Sequence, residues 1–359
     1  MIRLATTCAA ALVAVALLGG CSPGARAGLP ARATDSSLPE QTGPVPDVTI
    51  GWVGDITPGS SYGLAPQHGR ALFAKVRTEL KAPDIMVGNL EGTFGGGGKS
   101  KSGPASFSYQ APPVYSKALS WAGFDVMSVA NNHAHDFLVP GMVSTQRALK
   151  TAGVDYTGLR NQITVVKRNG VRVAFIGVAP YRWSQPLADI ADSQWLVEIA
   201  RKKADVVIVL MHAGAEGADK THTPKGVERA YGEFRGSPRA FSHAMIDAGA
   251  SAVLGSGPHV IRGVERYKGR LVAYSLGNFA GWGNFRTSGT SGLSGLLTVR
   301  IDRRGNVLGG RWLSLKLADT GAPAIDPKRA SSKLVRTLSR QDFASPWPIA
   351  ADGNLAAGK

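Results

Sequence analysis

Cysteine is nearly missing. The 359 residues hold two, Cys8 and Cys21, and both precede the first segment that reads as folded. No disulfide can form within the domain, so its stability does not depend on an oxidising compartment. Acidic residues are also scarce: 25 Asp+Glu face 41 Lys+Arg, a formal net charge of +16. The basic residues are scattered in short groups such as Lys202-Lys203 and Arg303-Arg304. They make neither the block nor the aromatic-interleaved stripe of a nucleic-acid arm, and no nucleic-acid partner is expected. The excess suits an anionic polymer or an anionic membrane surface through its field, or is ordinary solubility charge. No internal repeat is evident. The glycine-lysine stretch 95–103 lacks the Gly-x4-Gly-Lys-Ser/Thr order of a phosphate-cradling loop, and no helical pattern follows it, so it reads as a surface loop.

The long apolar run of a transmembrane helix is absent too. Leu4 to Leu18 is shorter than the ~20 residues such a helix needs, and Arg3 precedes it. Leu18-Gly19-Gly20-Cys21 resembles a bacterial lipobox, which implies lipidation at Cys21 and an extracytoplasmic, membrane-held protein. Plain signal cleavage with secretion is the alternative. Residues 1–21 are thus expected as a lipoprotein signal peptide. Residues 22–46, rich in Pro, Ala, Gly, Ser and Thr, are expected as a flexible linker. The hydrophobic fraction of 43% suits a globular core. Residues 47–317 read as a single α/β domain and 318–359 as a C-terminal extension with one short helix over 331–340.

Within the domain, short apolar runs end again and again in polar residues. A strand over 48–53 runs into Gly54-Asp55. One over 84–89 runs into Leu90-Glu91-Gly92, and one over 126–130 into Asn131-Asn132-His133-Ala134-His135-Asp136. A strand over 206–211 leads to His212-Ala213-Gly214-Ala215-Glu216, and one over 252–255 to Ser256-Gly257-Pro258-His259. Helices are expected over 70–80, 113–122, 140–152, 189–204 and 237–248. Hairpins are expected through Asn169-Gly170, Lys268-Gly269 and Arg304-Gly305-Asn306. One polar strand end is ordinary capping. Five of them, carrying the oxygen and nitrogen donors that borderline divalent metals prefer, point to a shared site, because a parallel-rich sheet gathers its C-terminal strand ends along one edge.

Gly54-Asp55, Asn89-Leu90-Glu91-Gly92, Ala130-Asn131-Asn132-His133 with Asp136, His212 with Glu216, Pro258-His259-Val260 and Tyr274-Ser275-Leu276-Gly277-Asn278-Phe279 occur in that order. In these segments the chain resembles the CapA family, associated with bacterial poly-γ-glutamate capsule synthesis. The resemblance implies a calcineurin-like metallophosphoesterase fold, two β-sheets sandwiched between helices. It also implies a site holding one or two divalent ions (Mn, Zn or Fe). Asp55 and His259 would bind the first metal, Glu91 would bridge, and Asn132 and His212 would bind the second. His133, with Asp136, would be catalytic, as general acid or orienting donor. Asn131, Glu216, Ser275 and Asn278 would line the substrate pocket. The implied activity is hydrolysis or group transfer on an anionic envelope polymer such as poly-γ-glutamate, with capsule-synthesis membrane proteins as partners. The alternative is a non-catalytic accessory that binds or guides the polymer. Two positions depart from the pattern. Thr57 stands where metallophosphoesterases carry His, and Gly257 stands where the family has another, which implies a weak or empty second site unless His135 or His222 substitutes.

Overall fold

Each half of the domain lays down four parallel strands. In the first half they are Asp47–Thr57, Ile85–Leu90, Val126–Ser128 and Asp155–Thr157. In the second half they are Val171–Ala179, Val206–His212, Ala252–Ser256 and Arg270–Ala273. These residues belong to a computed structural model that describes residues 45–101 and 107–358. The expected signal peptide, Cys21 and nearly all of the linker lie outside the described residues.

The first sheet continues past Asp47–Thr57 through the antiparallel strands Leu293–Asp302, Val307–Leu317 and Pro323–Ile325. The short strand Asn278–Gly281 lies parallel to its C-terminal end. The second sheet is closed at its two edges by hairpins. Asn169 (φ 51°) and Gly170 (φ 77°) turn one, and Lys268 (φ 48°) and Gly269 (φ 76°) the other, the two left-handed residues that a tight turn between twisted strands requires. Side-chain alternation then builds the layers. In Val206–His212, Ile208 and Leu210 enter a core shared with Ile50, Trp52, Val87 and Leu297 of the first sheet. Val207, Val209 and Met211 face outward against the helices Ile190–Lys203 and Pro238–Asp247. The outer face of the first sheet packs Val53, Met86 and Met127 with residues of Ser116–Ala122 and Leu138–Thr151. Two sheets therefore lie between two helical layers, the expected architecture. Among the described residues no helix is long and apolar enough to cross a membrane.

Two segments differ from expectation. The helix expected over 70–80 is a chain of turns, Gln67–Leu72, Ala74–Val76 and Arg77–Leu80, broken by non-helical backbone at His68 and Gly69. Leu72, Phe73, Val76 and Leu80 all reach the core, so burial sets the path here more than helix hydrogen bonds do. Residues 318–358 belong to the domain core. Helix Ala330–Asp342 sends Val335 into the inter-sheet core, where Trp347, Ile349 and Leu355 join it. Ser331 and Ser339 anchor it through Trp312 Nε1 (3.0 Å) and Val264 N (2.8 Å).

At the N-terminal edge of the second sheet, Asp205 accepts from Arg172 N (2.9 Å), Nε (3.2 Å) and Nη2 (3.1 Å) and from Arg303 Nε (3.2 Å). The Arg172 bonds hold its carboxyl at about 2, below the ordinary 3.8. A depressed acid contributes stability above its unfolded pKa and loses it as pH falls through the folded one. The guanidiniums are half exposed, so solvent screening leaves about 1 kcal/mol. Urea titrations of Asp205→Asn should show that deficit at pH 7 and almost none near pH 2. An equal deficit at both would refute the ion pair.

Candidate metal centre

Asp55 sits near the end of Asp47–Thr57, where the strand presses against the loop before Asn278. A Cβ on Gly54 would overlap the Gly277 carbonyl oxygen, so that position admits only glycine. The contact is fixed by Asp55 N donating to Gly277 O at 3.1 Å. The Asp55 carboxylate is fully buried. Its Oδ1 accepts from Asn89 Nδ2 (2.8 Å), and its Oδ2 accepts from Gly257 N (3.3 Å) and faces His259 Nδ1 (3.1 Å). Burial alone would raise its pKa. The hydrogen bond and charge of His259, with His212 and Asn89, reverse that and hold it below the ordinary value.

Glu91 is pinned by its backbone, N to Ile56 O at 2.8 Å, but both carboxylate oxygens are buried without a hydrogen-bond partner. Burial, and the nearby charges of Asp55 and Glu216, push its pKa well above the ordinary value. His212, the last residue of its strand, holds Nε2 3.7 Å from Glu91 Oε1, again with no hydrogen-bond partner. Its Nδ1 lies 3.2 Å from Asn89 Nδ2 and 3.3 Å from Ser256 Oγ. Burial drops the His212 pKa to about 3, so the ring is neutral and available as a ligand. His259 adopts φ 58°, which aims Nδ1 at Asn278 Oδ1 (2.9 Å). Its Nε2 then points to Glu91 Oε1 (3.6 Å) and Glu216 Oε2 (3.7 Å). Burial opposes a charge on this ring, but Glu91, Asp55 and Glu216 outweigh it and raise the pKa well above the ordinary value.

Ligand atoms of Asp55, Glu91 and His212 lie within 4.8 Å of one another. Two buried carboxylates side by side, one of them, Glu91, with neither oxygen hydrogen-bonded, are costly unless a cation answers them. Mixed carboxylate and imidazole donors suit a divalent metal. Asn278, expected as a pocket residue, is the second partner that orients His259 and leaves Nε2 to coordinate.

Beside this set lies the Asn131–Asp136 turn. Asn131 Nδ2 donates to Asn89 Oδ1 (3.0 Å) and Leu90 O (2.8 Å), and its Oδ1 accepts from His133 N (3.0 Å). Asn132 Oδ1 is buried without a hydrogen-bond partner. His133 Nδ1 meets Asp136 Oδ2 at 2.8 Å, and Tyr109 packs on its ring at a centroid distance of 4.3 Å. Asp136 also accepts from Tyr109 N (2.7 Å) and pairs with Lys101 Nζ (2.8 Å). Glu216 pairs with the buried Arg235. Ser275 spends its Oγ accepting from Gly277 N (3.1 Å), shaping the turn beside Asp55.

The two departures have local explanations. Gly257 has φ 111°, and a Cβ there would stand 3.0 Å from Ala213 N and 3.2 Å from His212 Cδ2, so the backbone packs where an imidazole would need room. Thr57 Oγ1 is buried with no hydrogen-bond partner. Neither suggested substitute fills the gap: His135 stacks on Trp183 at 4.7 Å and His222 pairs with Asp342 at 2.7 Å. Sequence reading named Asn89 within a motif without giving it a role, and missed Lys101, Tyr109, Trp183 and Arg235. Asn89 was detectable as an amide inside an otherwise apolar strand. Arg235, on the hairpin Glu228–Ala230 and Glu233–Gly236, carried no such signal.

The profile of the family described as "Bacterial capsule synthesis protein PGA_cap" matches residues 49–281, a span that contains every candidate from Asp55 to His259. The chain is 31% identical to the capsule biosynthesis protein CapA of Bacillus anthracis, covering 66% of this chain and 61% of that protein. It is 28% identical to the PGA biosynthesis protein CapA of Bacillus subtilis (strain 168), covering 67% and 66%. The chain thus spans less than two thirds of the length of either. A Staphylococcus aureus structure described as a 5′-nucleotidase aligns at TM-score 0.42 and 15% identity, over 82% of this chain and 58% of that one.

Proposed function

The chain belongs to the bacterial capsule synthesis protein family PGA_cap, and from that premise we propose a metal-dependent hydrolase or transferase acting on an anionic envelope polymer of the poly-γ-glutamate kind. We further propose that it works outside the cytoplasm, held to the membrane by lipid on Cys21. The observation that carries the reading is the buried cluster of Asp55, Glu91 and His212, with His259 beside it and both Glu91 carboxylate oxygens without a hydrogen-bond partner. These four residues would hold Mn, Zn or Fe, and Asn132 would contribute to a second ion. A bound divalent ion supplies Lewis acidity and a water-derived nucleophile at neutral pH. The chain's own residues supply the rest. His133, oriented through Nδ1 by Asp136, would in its imidazolium form give its Nε2 proton to a leaving group and be left as the neutral ring. Lys101, partly exposed and paired with Asp136, and the buried Arg235, paired with Glu216, hold the acidic side chains that flank the pocket. The stacked rings of Tyr181, Trp183 and His135 offer a flat wall for the polymer.

The test is metal analysis of the purified full chain, followed by assays on poly-γ-glutamate and on phosphoesters with and without chelator. Turnover lost on chelation and in Asp55→Ala is expected. Identical behaviour of chelated, variant and untreated protein refutes the reading. The thinned ligand shell at Thr57 and Gly257 favours a second reading, a polymer-binding accessory without catalysis. It requires polymer binding that survives chelation and weakens with salt.

A further inference from the structure

The parallel strands that end at the candidate centre begin, at their other ends, around a different feature. Asp205, Ala250, Ser251 and Arg270 border a cleft of about 400 Å3 whose cations are Arg201, Lys268, Arg270 and Arg304. Two carboxylates line it, and both are engaged: Asp205 by Arg172 and Arg303, Asp247 by Lys268 and Tyr267. Asp302 spends its oxygens on Arg304 N and on Asn306 N and Nδ2. Among the described residues, Arg201, Arg270 and Arg304 therefore pair with no carboxylate. Arg270 is half-buried and donates to the Gly305 carbonyl oxygen. Burial and the charge of Arg201 both pull its pKa below the ordinary value, and Asp302 only partly offsets them. Like charges held together without a counter-charge are unfavourable until an anion enters, and guanidinium forks match phosphate oxygens.

The position of the cleft says which phosphate. Arg303 N donates to Pro46 O at 2.8 Å, and the backbone of Asp47 lies opposite that of Asp302 in the antiparallel ladder, so the chain enters the folded domain on this rim, beside Arg304. The expected lipid attachment at Cys21 lies upstream of that point. The candidate centre lies at the far ends of the same strands, across the seven-residue strand Val206–His212, which is ~20 Å of extended chain. We infer that this cleft takes the phosphate of an anionic phospholipid headgroup, seating the domain on the bilayer by the edge where its chain enters and turning the metal centre away from the lipid. The inference stands on charge and position and does not need the centre to be catalytic.

The test compares the chain from Ser22 onward, which carries neither the apolar run 4–18 nor an acyl chain, with the same chain carrying Arg201→Glu and Arg304→Glu. Both arginines are exposed, so melting temperature and metal-induced stabilisation should be unchanged. In flotation with vesicles of phosphatidylglycerol mixed into phosphatidylcholine, binding should fall roughly thirtyfold or more in the double variant, from about 1 kcal/mol per basic residue at an anionic surface. Pure phosphatidylcholine vesicles should bind neither protein. Equal flotation of the two proteins overturns the inference, as does failure of the parent to bind anionic vesicles. Loss of poly-γ-glutamate binding with vesicle binding intact also overturns it, and assigns the cleft to polymer instead.

Discussion

Returning Mn2+ or Zn2+ to chelated protein should raise its melting temperature, and Glu91→Gln should abolish that rise while making the chelated protein more stable than the parent. A ligand that binds only the folded state stabilises by RT ln(1 + [L]/Kd), about 2.7 kcal/mol at a free concentration 100-fold above Kd. The opposite sign for the chelated state follows from the site's own electrostatics. Glu91 is buried, its oxygens lack hydrogen-bond partners, and Asp55 and Glu216 repel its charge. An acid whose folded pKa is raised makes the folded state bind more protons than the unfolded one above about pH 4.5, so stability falls as pH rises through that window. His259, whose pKa is also raised, adds to the same slope. Removing the charge at 91 should flatten the pH dependence of the chelated protein and delete a carboxylate ligand. Melting curves with and without metal, across pH, separate the two effects. An unchanged metal-induced shift in Glu91→Gln would sink the assignment of Glu91 as a ligand.

The opposing signs also show what the sequence could and could not disclose. Asp55, Glu91, His212 and His259 were legible because each follows an apolar run, and parallel strands do gather such ends. The sequence could not reveal that the ends come from two sheets, with Asp55 and Glu91 on one and His212 and His259 on the other, because strand partners are chosen by the packing of the whole core. Gly257 reads in the sequence only as a missing ligand. In the fold, its backbone rests on the His212 ring and donates to Asp55, a contact visible only in three dimensions. Asn278 belongs to an evident motif, but its role depends on the left-handed backbone of His259, which no local pattern announces. That the helix Ala330–Asp342 packs into the core was not legible for a chemical reason. Its buried residues include Ser331 and Ser339, which look like surface until the bonds they accept from Trp312 and Val264 are seen.

Substituting His133 by Ala should cost roughly 10²–10⁴-fold in turnover, the span typical of a lost general acid, with metal content intact. The ring sits outside the carboxylate cluster, and its Nδ1 is held by Asp136 at 2.8 Å, so Nε2 is the atom left to give a proton. A proton donor matters in proportion to how poor the leaving group is. The deficit should therefore be largest for alkyl phosphoesters or unactivated amides and should shrink toward the parent rate for p-nitrophenyl substrates, whose leaving group departs unprotonated. If Asp136 acts through His133, whose Nδ1 it meets at 2.8 Å, its replacement by Asn should cost about 10–100-fold, as for other groups that orient a functional imidazole. Asp136 also ties down Tyr109 N and Lys101, so a general loosening of the turn could mimic a lost orienting bond. Leaving-group dependence separates them: loosening lowers turnover on all substrates alike, whereas a misdirected imidazole spares the activated ones. Partial recovery in Asp136→Glu, which keeps the carboxylate, would point the same way. A uniform loss across leaving groups in both His133→Ala and Asp136→Asn would remove His133 from the proton-transfer role and leave it as part of the pocket wall.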